Sequence, residues 1–431
     1  MSVSALSAGA GGGSTGTTPH LDGLVAEASW AGTGVAAASW CLGSLASVFT
    51  GLPPSLHGAG HPGHPWLRPA ARTLAEELAA LGFATQGFYG TPWLGPGFGL
   101  ERGFDGLRPL RRSAAERYLA ALGEGPSLTW IQVPWPGAPP ASELAGAVPA
   151  LRSVRDRGSG GGARSDIAAL STRRQQRIAE ADRHLGRLLD ALRRSGRWDR
   201  SIVVVLSDHG EGRGESGAAL PGTEIGRGSV EVPVAIRVPM ALVPRIRAPQ
   251  EVPIGLDRIF ATLVELAGGR PAPAAAPSLL RPLAWPATSE LWFANGYHEV
   301  AIYEEKHQLR WRCRFAAPEA AFEEARLEAL AGSGSARFGQ FVTAFEAEFR
   351  RRPGCADEDW VLDAWSESGA VAPADDPARA KRMLERLRML RSFPPSWSVE
   401  PVEPRPALSR RELLALAGWG LPVPVQWAAP P

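Results

Sequence analysis

The sequence predicts an α/β fold: a doubly wound, mostly parallel sheet followed by a smaller C-terminal α+β subdomain. Three observations carry this expectation. An amphipathic pattern with Ile178, Ala181, Leu185, Leu188, Leu189 and Leu192 three to four residues apart leads into the apolar run SIVVVL at residues 201–206. A helix feeding a fully apolar strand is the crossover unit of parallel sheets. Short apolar strands and helices alternate up to about residue 285, and three short alternating runs then follow one another, as in an antiparallel sheet. The expected division is an α/β domain over residues 1–285 and a subdomain over residues 286–431 that carries the small sheet, helices and a Pro-rich tail.

The elements are justified in order. Residues 73–81 (TLAEELAAL) form a short amphipathic helix stopped by Gly82, and residues 83–89 a strand. Residues 128–133 form a second strand, ended by the Pro-rich PWPGAPP, which cannot continue a ladder. Residues 158–162 read as a flexible Gly-rich linker. A long helix over residues 172–194 is closed by Gly196, and residues 201–206 then read as a central parallel strand buried on both faces. A strand at 232–237 and a helix at 256–266 complete the α/β part. Beyond them come strands at 290–295, 299–303 and 308–312, helices at 320–331, 338–351 and 378–390, and a Pro-rich tail from Pro394.

Composition excludes several classes. With 44% apolar residues and 15 Trp the chain can build a core, and a net charge of +2 offers no field for nucleic acid. Lys306 and Lys381 are the only lysines among 46 basic residues, so the abundant Arg reads as base-composition bias rather than as phosphate binding. Cys41, Cys313 and Cys355 are too few and too scattered for a disulfide framework or a Cys-based zinc site. Residues 1–14 have no basic and then apolar segment, and residues 28–67, the longest stretch free of charge, are too rich in Gly, Ser, Thr and Pro for a membrane span. The expectation is a soluble protein without membrane partner, cytoplasmic as written.

The sharpest chemical signal is Ser207-Asp208-His209-Gly210-Glu211 at the end of the SIVVVL run. Ligands of open α/β sheets bind at the carboxyl ends of strands, and Asp208 beside His209 supplies two metal donors there. A strand-terminal Asp capping a turn, with an incidental His, is the plain alternative. The glycine-rich GAGGGSTG at residues 9–16 lacks the lysine and preceding strand of a phosphate loop. His57, His61 and His64 could bind a metal, or could simply lie in a surface loop. The Arg-rich face around Arg183 and Arg193 reads as solvated.

Several segments together resemble the sulfatase family of the alkaline-phosphatase superfamily. They are TPHLDGL at 18–24, SWC at 39–41 leading to SVFTGL at 47–52, TLAEELAALGF, FGLERGFD at 98–105, ADRHLGRLLDALRRSGRWD, the SDHGE strand end, VPVAIR at 232–237 and GLDRIFATLVELAG. They follow the family's order over residues 3–270. The resemblance implies a sulfuric-ester hydrolase in which a divalent metal, calcium in most members, holds the ester against a formylglycine made from Cys at a helix N-terminus. It places Cys41 at the nucleophile position and Asp208 and His209 among the metal ligands. It also matches His57 to a recurrent His-Gly, and Lys306 to a basic substrate contact.

The chain departs from that pattern at several points. Formylglycine conversion reads a Pro and an Arg where this chain has Gly43 and Leu45, so formylglycine is not expected and a small buried Cys is the plain reading of Cys41. The acidic pair expected after the first strand falls on Ser4 and Gly9; a leaving-group His falls on Pro134-Trp135-Pro136-Gly137, and a sulfate-binding His or Lys near Pro221-Gly222-Thr223. Two ligands alone would hold calcium weakly or not at all. Met1 falls where the family's first strand would end, which leaves room for a strand and a signal peptide upstream, and hence for a periplasmic or secreted protein. The expectation is a catalytically impaired sulfatase-like protein with a binding or regulatory role, for which a protein partner would fit. The alternative is a metal-dependent hydrolase of small anionic sulfate or phosphate esters that uses Cys41, Asp208 and His209.

Overall fold

The computed structural model describes residues 17–59, 66–91, 94–111, 113–133, 164–210, 225–240, 246, 252–281, 285–294, 297–314, 357–365 and 371–390. In chain order the elements are α1 (Pro19–Glu27), β1 (Trp30–Val35), α2 (Cys41–Thr50), α3 (Leu74–Ala80), β2 (Ala84–Tyr89), β3 (Gly106–Pro109), α4 (Ala114–Ala120), β4 (Ser127–Ile131) and α5 (Arg164–Arg194). They continue with β5 (Val203–Leu206), β6 (Glu231–Arg237), β7 (Ile254–Gly255), α6 (Arg258–Leu266), β8 (Ala287–Ala294), β9 (Tyr297–Glu304), β10 (His307–Arg314), β11 (Asp357–Trp365), β12 (Val371–Pro373) and α7 (Pro377–Leu390). The expected linker at 158–162, the helices at 320–331 and 338–351, and the tail from Pro394 lie outside the described residues.

Local signals in the sequence become local structure. Thr73 and Glu76 form a complete capping box at α3: Thr73 Oγ1 accepts from the Glu76 N–H at 3.1 Å, and the Glu76 carboxylate accepts from the Thr73 N–H at 2.8 Å. Thr73 Oγ1 also donates to the Arg102 carbonyl at 2.7 Å. Thr73→Ala therefore removes a cap and leaves a carbonyl with one partner fewer. The expected cost is about 1–2 kcal/mol, read as a lower urea midpoint, and an unchanged midpoint would contradict it.

Helix α5 buries Ile178, Leu185, Leu188, Leu189 and Leu192, as the spacing requires, while Arg183 and Arg193 lie on its exposed face. Arg193 donates to Glu27 at 2.9 Å and stacks over Trp198. On the opposite side the almost fully buried Asp182 accepts from the backbone N–H groups of His20 and Leu21 at 3.1 and 2.8 Å. A carboxylate 161 residues beyond Leu21 thus satisfies the first amides of α1 and complements its positive end.

The sheet is mixed. One layer runs β3-β2-β4, all parallel, and another runs β5-β6-β1-β7. Strand β6 is antiparallel to both β5 and β1, while β1 and β7 are parallel. This corrects one expectation: the SIVVVL strand pairs antiparallel with β6, and among the described residues no strand joins it on its other edge. Its four residues are half-buried. The apolar run does face two layers, with Val203 and Val205 meeting the α5 side and Val204 and Leu206 meeting the main core. An apolar run specifies two-sided packing, not strand direction.

Helix α2 is buried at all ten positions and packs Phe49 edge-on against Trp130 of β4, with ring centroids 4.6 Å apart. Strands β8 to β12 form the antiparallel sheet, order β12-β11-β10-β9-β8, and α7 covers it through Ala380, Met383 and Leu387. Strand β8 is tied back to the α/β layers: the buried Glu290 carboxylate accepts from the Ser55 N–H at 2.8 Å and from its hydroxyl at 3.0 Å. Cys313 on β10 is disulfide-bonded, which departs from the expectation of isolated cysteines, and Cys41 is not in a disulfide.

Candidate functional site

Strands β1 and β5 both run opposite to β6, so their carboxyl ends emerge at the same end of the sheet. The chain leaving β1 passes through Ala36–Trp40 into the first turn of α2, and the chain leaving β5 passes through Ser207 to Gly210. The two meet there. Cys41 Sγ lies 3.3 Å from His209 Nε2, and donor atoms of Cys41, Asp208 and His209 all lie within 4.8 Å of one another. Cys41 is 8% exposed, and Asp208 and His209 are half-buried.

Backbone geometry fixes this corner. Ser207 Oγ donates to the His209 carbonyl at 2.9 Å, and the His209 N–H donates to Asp208 Oδ1 at 3.1 Å. Gly210 donates its N–H to the Ser229 carbonyl at 2.8 Å, and a Cβ at Gly210 would overlap the Gly228 carbonyl oxygen. His209 Nδ1 lies 2.7 Å from the Gly210 carbonyl, which can only accept, so Nδ1 carries the proton and Nε2 turns its lone pair toward Cys41.

The α2 side is equally constrained. Cys41 is the first residue of the helix, whose N-terminal amides favour negative charge. A Cβ at Gly43 would lie 2.8 Å from Trp40 Nε1 and 2.9 Å from the Ala38 Cβ, so a larger residue there meets the turn that leads into the helix. Leu45 is 2% exposed within the main core.

His57, a candidate substrate contact, lies inside the core in the structure. Its ring is fully buried; Nδ1 accepts from the Ala59 N–H at 3.0 Å, and Nε2 lies 3.1 Å from the Gly43 carbonyl and 3.0 Å from Ser47 Oγ. With Nδ1 accepting, Nε2 is the protonated nitrogen, and the ring braces α2 from within. Burial, helped by the Arg68 charge, pushes its pKa down to about 3. Neither Ser47 nor this bracing role was read from the sequence; the signal was a Ser and a His ten residues apart flanking a Gly. Lys306 sits exposed in the two-residue turn between β9 and β10, and its carbonyl accepts from the Trp365 N–H at 3.1 Å. Ser4, Gly9, His61, His64, Pro134-Trp135-Pro136-Gly137 and Pro221-Gly222-Thr223 lie outside the described residues.

The donor set decides which metal suits the corner. Calcium takes about six to eight oxygen ligands. Among the described residues the donors that converge here are one thiol, one imidazole and one carboxylate, a set that could hold a divalent metal and that falls short of the oxygen ligands calcium takes.

Comparison with known proteins agrees with the fold. A sulfatase family model matches residues 147–269. The 2-O GAG sulfatase BT1596 superposes with a TM-score of 0.57 at 15% identity, covering 81% of this chain and 91% of its own. The phosphonate monoester hydrolase SpPMH of Silicibacter pomeroyi superposes with a TM-score of 0.58 at 15% identity, covering 90% and 92%. A Bacteroides thetaiotaomicron protein described as a sulfatase gives 0.54 at 15% identity, covering 81% and 92%. No curated protein sequence matches this chain. The chain therefore shares the α/β fold of these proteins at low identity. Among the described residues no helix is long and apolar enough to cross a membrane.

Proposed function

We propose that this chain is a sulfatase-like protein, impaired as an ester hydrolase, that works by binding in a regulatory or partner-dependent role. The observation that carries the reading is the first part of α2. The two positions where the resemblance expects the Pro and the Arg of a formylglycine motif hold Gly43, closely approached by Trp40 and Ala38, and Leu45, sealed in the core. Those positions serve packing, so Cys41 stays a thiol and the helix brings no guanidinium to an anionic ester. Losing the activated nucleophile and the charged contacts removes the main contributions to such catalysis.

The test is turnover of aryl sulfates, phosphates and phosphonates by the purified protein with calcium, manganese or zinc. The expected result is hydrolysis at the uncatalysed rate, identical in Cys41→Ala. Metal-dependent turnover that disappears in Cys41→Ala would overturn the reading.

One observation favours a second reading. The 3.3 Å approach of Cys41 Sγ to His209 Nε2 is the spacing of a nucleophile and its base. A remodelled hydrolase of small anionic esters on this pair, with Lys306 as an outer substrate contact, requires that Cys41→Ala and His209→Ala abolish the same turnover. Residues 1–285 would then form the catalytic domain and residues 286–431 its substrate-side subdomain. The disulfide at Cys313 supports an oxidising compartment for either reading.

A further inference from the structure

We infer that the helical turn Arg227–Val230 is the part through which the C-terminal sheet holds the corner in shape, which makes Tyr303 and Gln308 positioning residues for the contact between His209 and Cys41. The inference rests on the thiol reading of Cys41 and adds to it what sets the spacing of the pair. Two consecutive carbonyls of the turn grip the two arms of the corner. The Ser229 carbonyl accepts from the Gly210 N–H at 2.8 Å, directly after His209. The Val230 carbonyl accepts from the Ala36 N–H at 2.8 Å, on the chain that leads from β1 to Cys41. Ser229, Val230 and Ala36 are buried, so each of these bonds is made where an unpaired group is costly. The approach of the His209 arm leaves no slack, since a Cβ at Gly210 would lie 2.3 Å from the Gly228 carbonyl oxygen.

The C-terminal sheet fixes the other end of the turn. The buried Ile225 carbonyl accepts from the Tyr303 hydroxyl at 2.7 Å and from Gln308 Nε2, which also donates to the Tyr303 oxygen at 2.8 Å. Arg227 lies over the Trp365 ring of β11, 5.2 Å from its centroid, and donates to the Glu231 carboxylate at 2.5 Å. The sheet also reaches the Cys41 arm directly: Ser289 Oγ donates to the Ala36 carbonyl, and the Glu290 N–H donates to the Ala37 carbonyl at 2.8 Å. Removing the side-chain donors leaves the Ile225 carbonyl short of partners in the core, a penalty that the turn relieves only by shifting. Any shift carries the Gly210 and Ala36 bonds with it, and the 3.3 Å approach of Cys41 Sγ to His209 Nε2 depends on both. The coupling is a continuous chain of buried hydrogen bonds from β9 and β10 to the corner.

NMR of the full chain labelled at histidine tests this directly, with the His209 ring signals assigned by their loss in His209→Gln. Tyr303→Phe deletes the hydroxyl, and Gln308→Leu deletes the amide. The expected result is that the His209 signals shift by more than their linewidth in each variant and further in the two combined, while those of His20 on α1 and His184 on α5 stay in place. Ile302→Val is the control. It loosens the same sheet beneath α7, on the face turned away from Tyr303, and should leave the His209 signals where they are. Tyr303→Phe keeps Gln308 on the Ile225 carbonyl, so it carries the test where Gln308→Leu fails to fold. His209 signals that stay in place in the folded variants, or that move as far in Ile302→Val, would overturn the inference. Peptide mass mapping of residue 41 in the same samples separates the two failures: an aldehyde there overturns the thiol reading, whereas unmoved His209 signals beside an intact thiol overturn the positioning role alone.

Discussion

Leu45→Arg unfolds the protein instead of rebuilding a sulfatase motif. Leu45 is 2% exposed and lies among Leu42, Ala46, Val48 and Phe49 in the main core. An arginine there removes apolar burial and brings an unpaired charge into a close-packed interior. The desolvation cost of a buried charge is several kcal/mol, against total stabilities of about 5–15 kcal/mol for a domain. The volume-conserving Leu45→Met should cost less than about 1.5 kcal/mol and serves as control. Loss of the cooperative thermal transition in Leu45→Arg, with retention in Leu45→Met, is the expected outcome of a circular-dichroism melt. A Leu45→Arg protein that melts like wild type would mean that position 45 opens toward solvent or a ligand.

The second large effect is on acid stability. His57 and His298 are both fully buried, and burial pushes each pKa from the ordinary 6.5 down to about 3. In the unfolded chain both titrate near 6.5, so between about pH 6.5 and pH 3 unfolding takes up protons that the folded state refuses. Their contribution is complete above pH 6.5 and is lost as pH falls through that window, at an upper limit of about 1.4 kcal/mol per pH unit for each histidine. Urea denaturation as a function of pH should show the unfolding free energy falling below pH 6.5. In His57→Gln the slope should drop by about one proton. A slope that is the same in both proteins would mean that His57 is accessible and charges in the folded state.

The parts of the fold that could be read from sequence were those specified by local chemistry. The TLAE capping box, the Ile178-to-Leu192 stripe and the alternating runs of β8 to β10 each encode their element within a few residues. Strand β11 was missed because DEDWVLDAW carries three Asp and one Glu, residues poor at forming strands. Its pairing with β10 turns Asp363 into an advantage, since Arg310 donates to its carboxylate at 2.6 Å. The direction of β5 could not be read because its partner β6 comes later in the chain and an apolar run has no polarity of its own. Asp182 carries no signal of its own in the sequence, because only the arrival of α1 makes it a cap.

The candidate site divides the same way. Asp208 and His209 were legible as adjacent donors at a strand end, and Cys41 as a residue at a resembling motif. Their convergence was not, because 168 residues separate Cys41 from His209 and the contact depends on β1 and β5 emerging on the same side of β6. The roles of Gly43 and His57 were also hidden, since both depend on what approaches α2 from outside its own turn.

The central claim is that Cys41 works as a thiol in a Cys-His-Asp corner and not as the precursor of a sulfatase aldehyde. Peptide mass mapping of residue 41, in protein co-produced with a formylglycine-generating enzyme, tests it most directly. The predicted result is an unmodified cysteine that becomes alkylated once the protein is unfolded without reductant. A peptide carrying an aldehyde at position 41 would contradict the account and favour a working ester hydrolase.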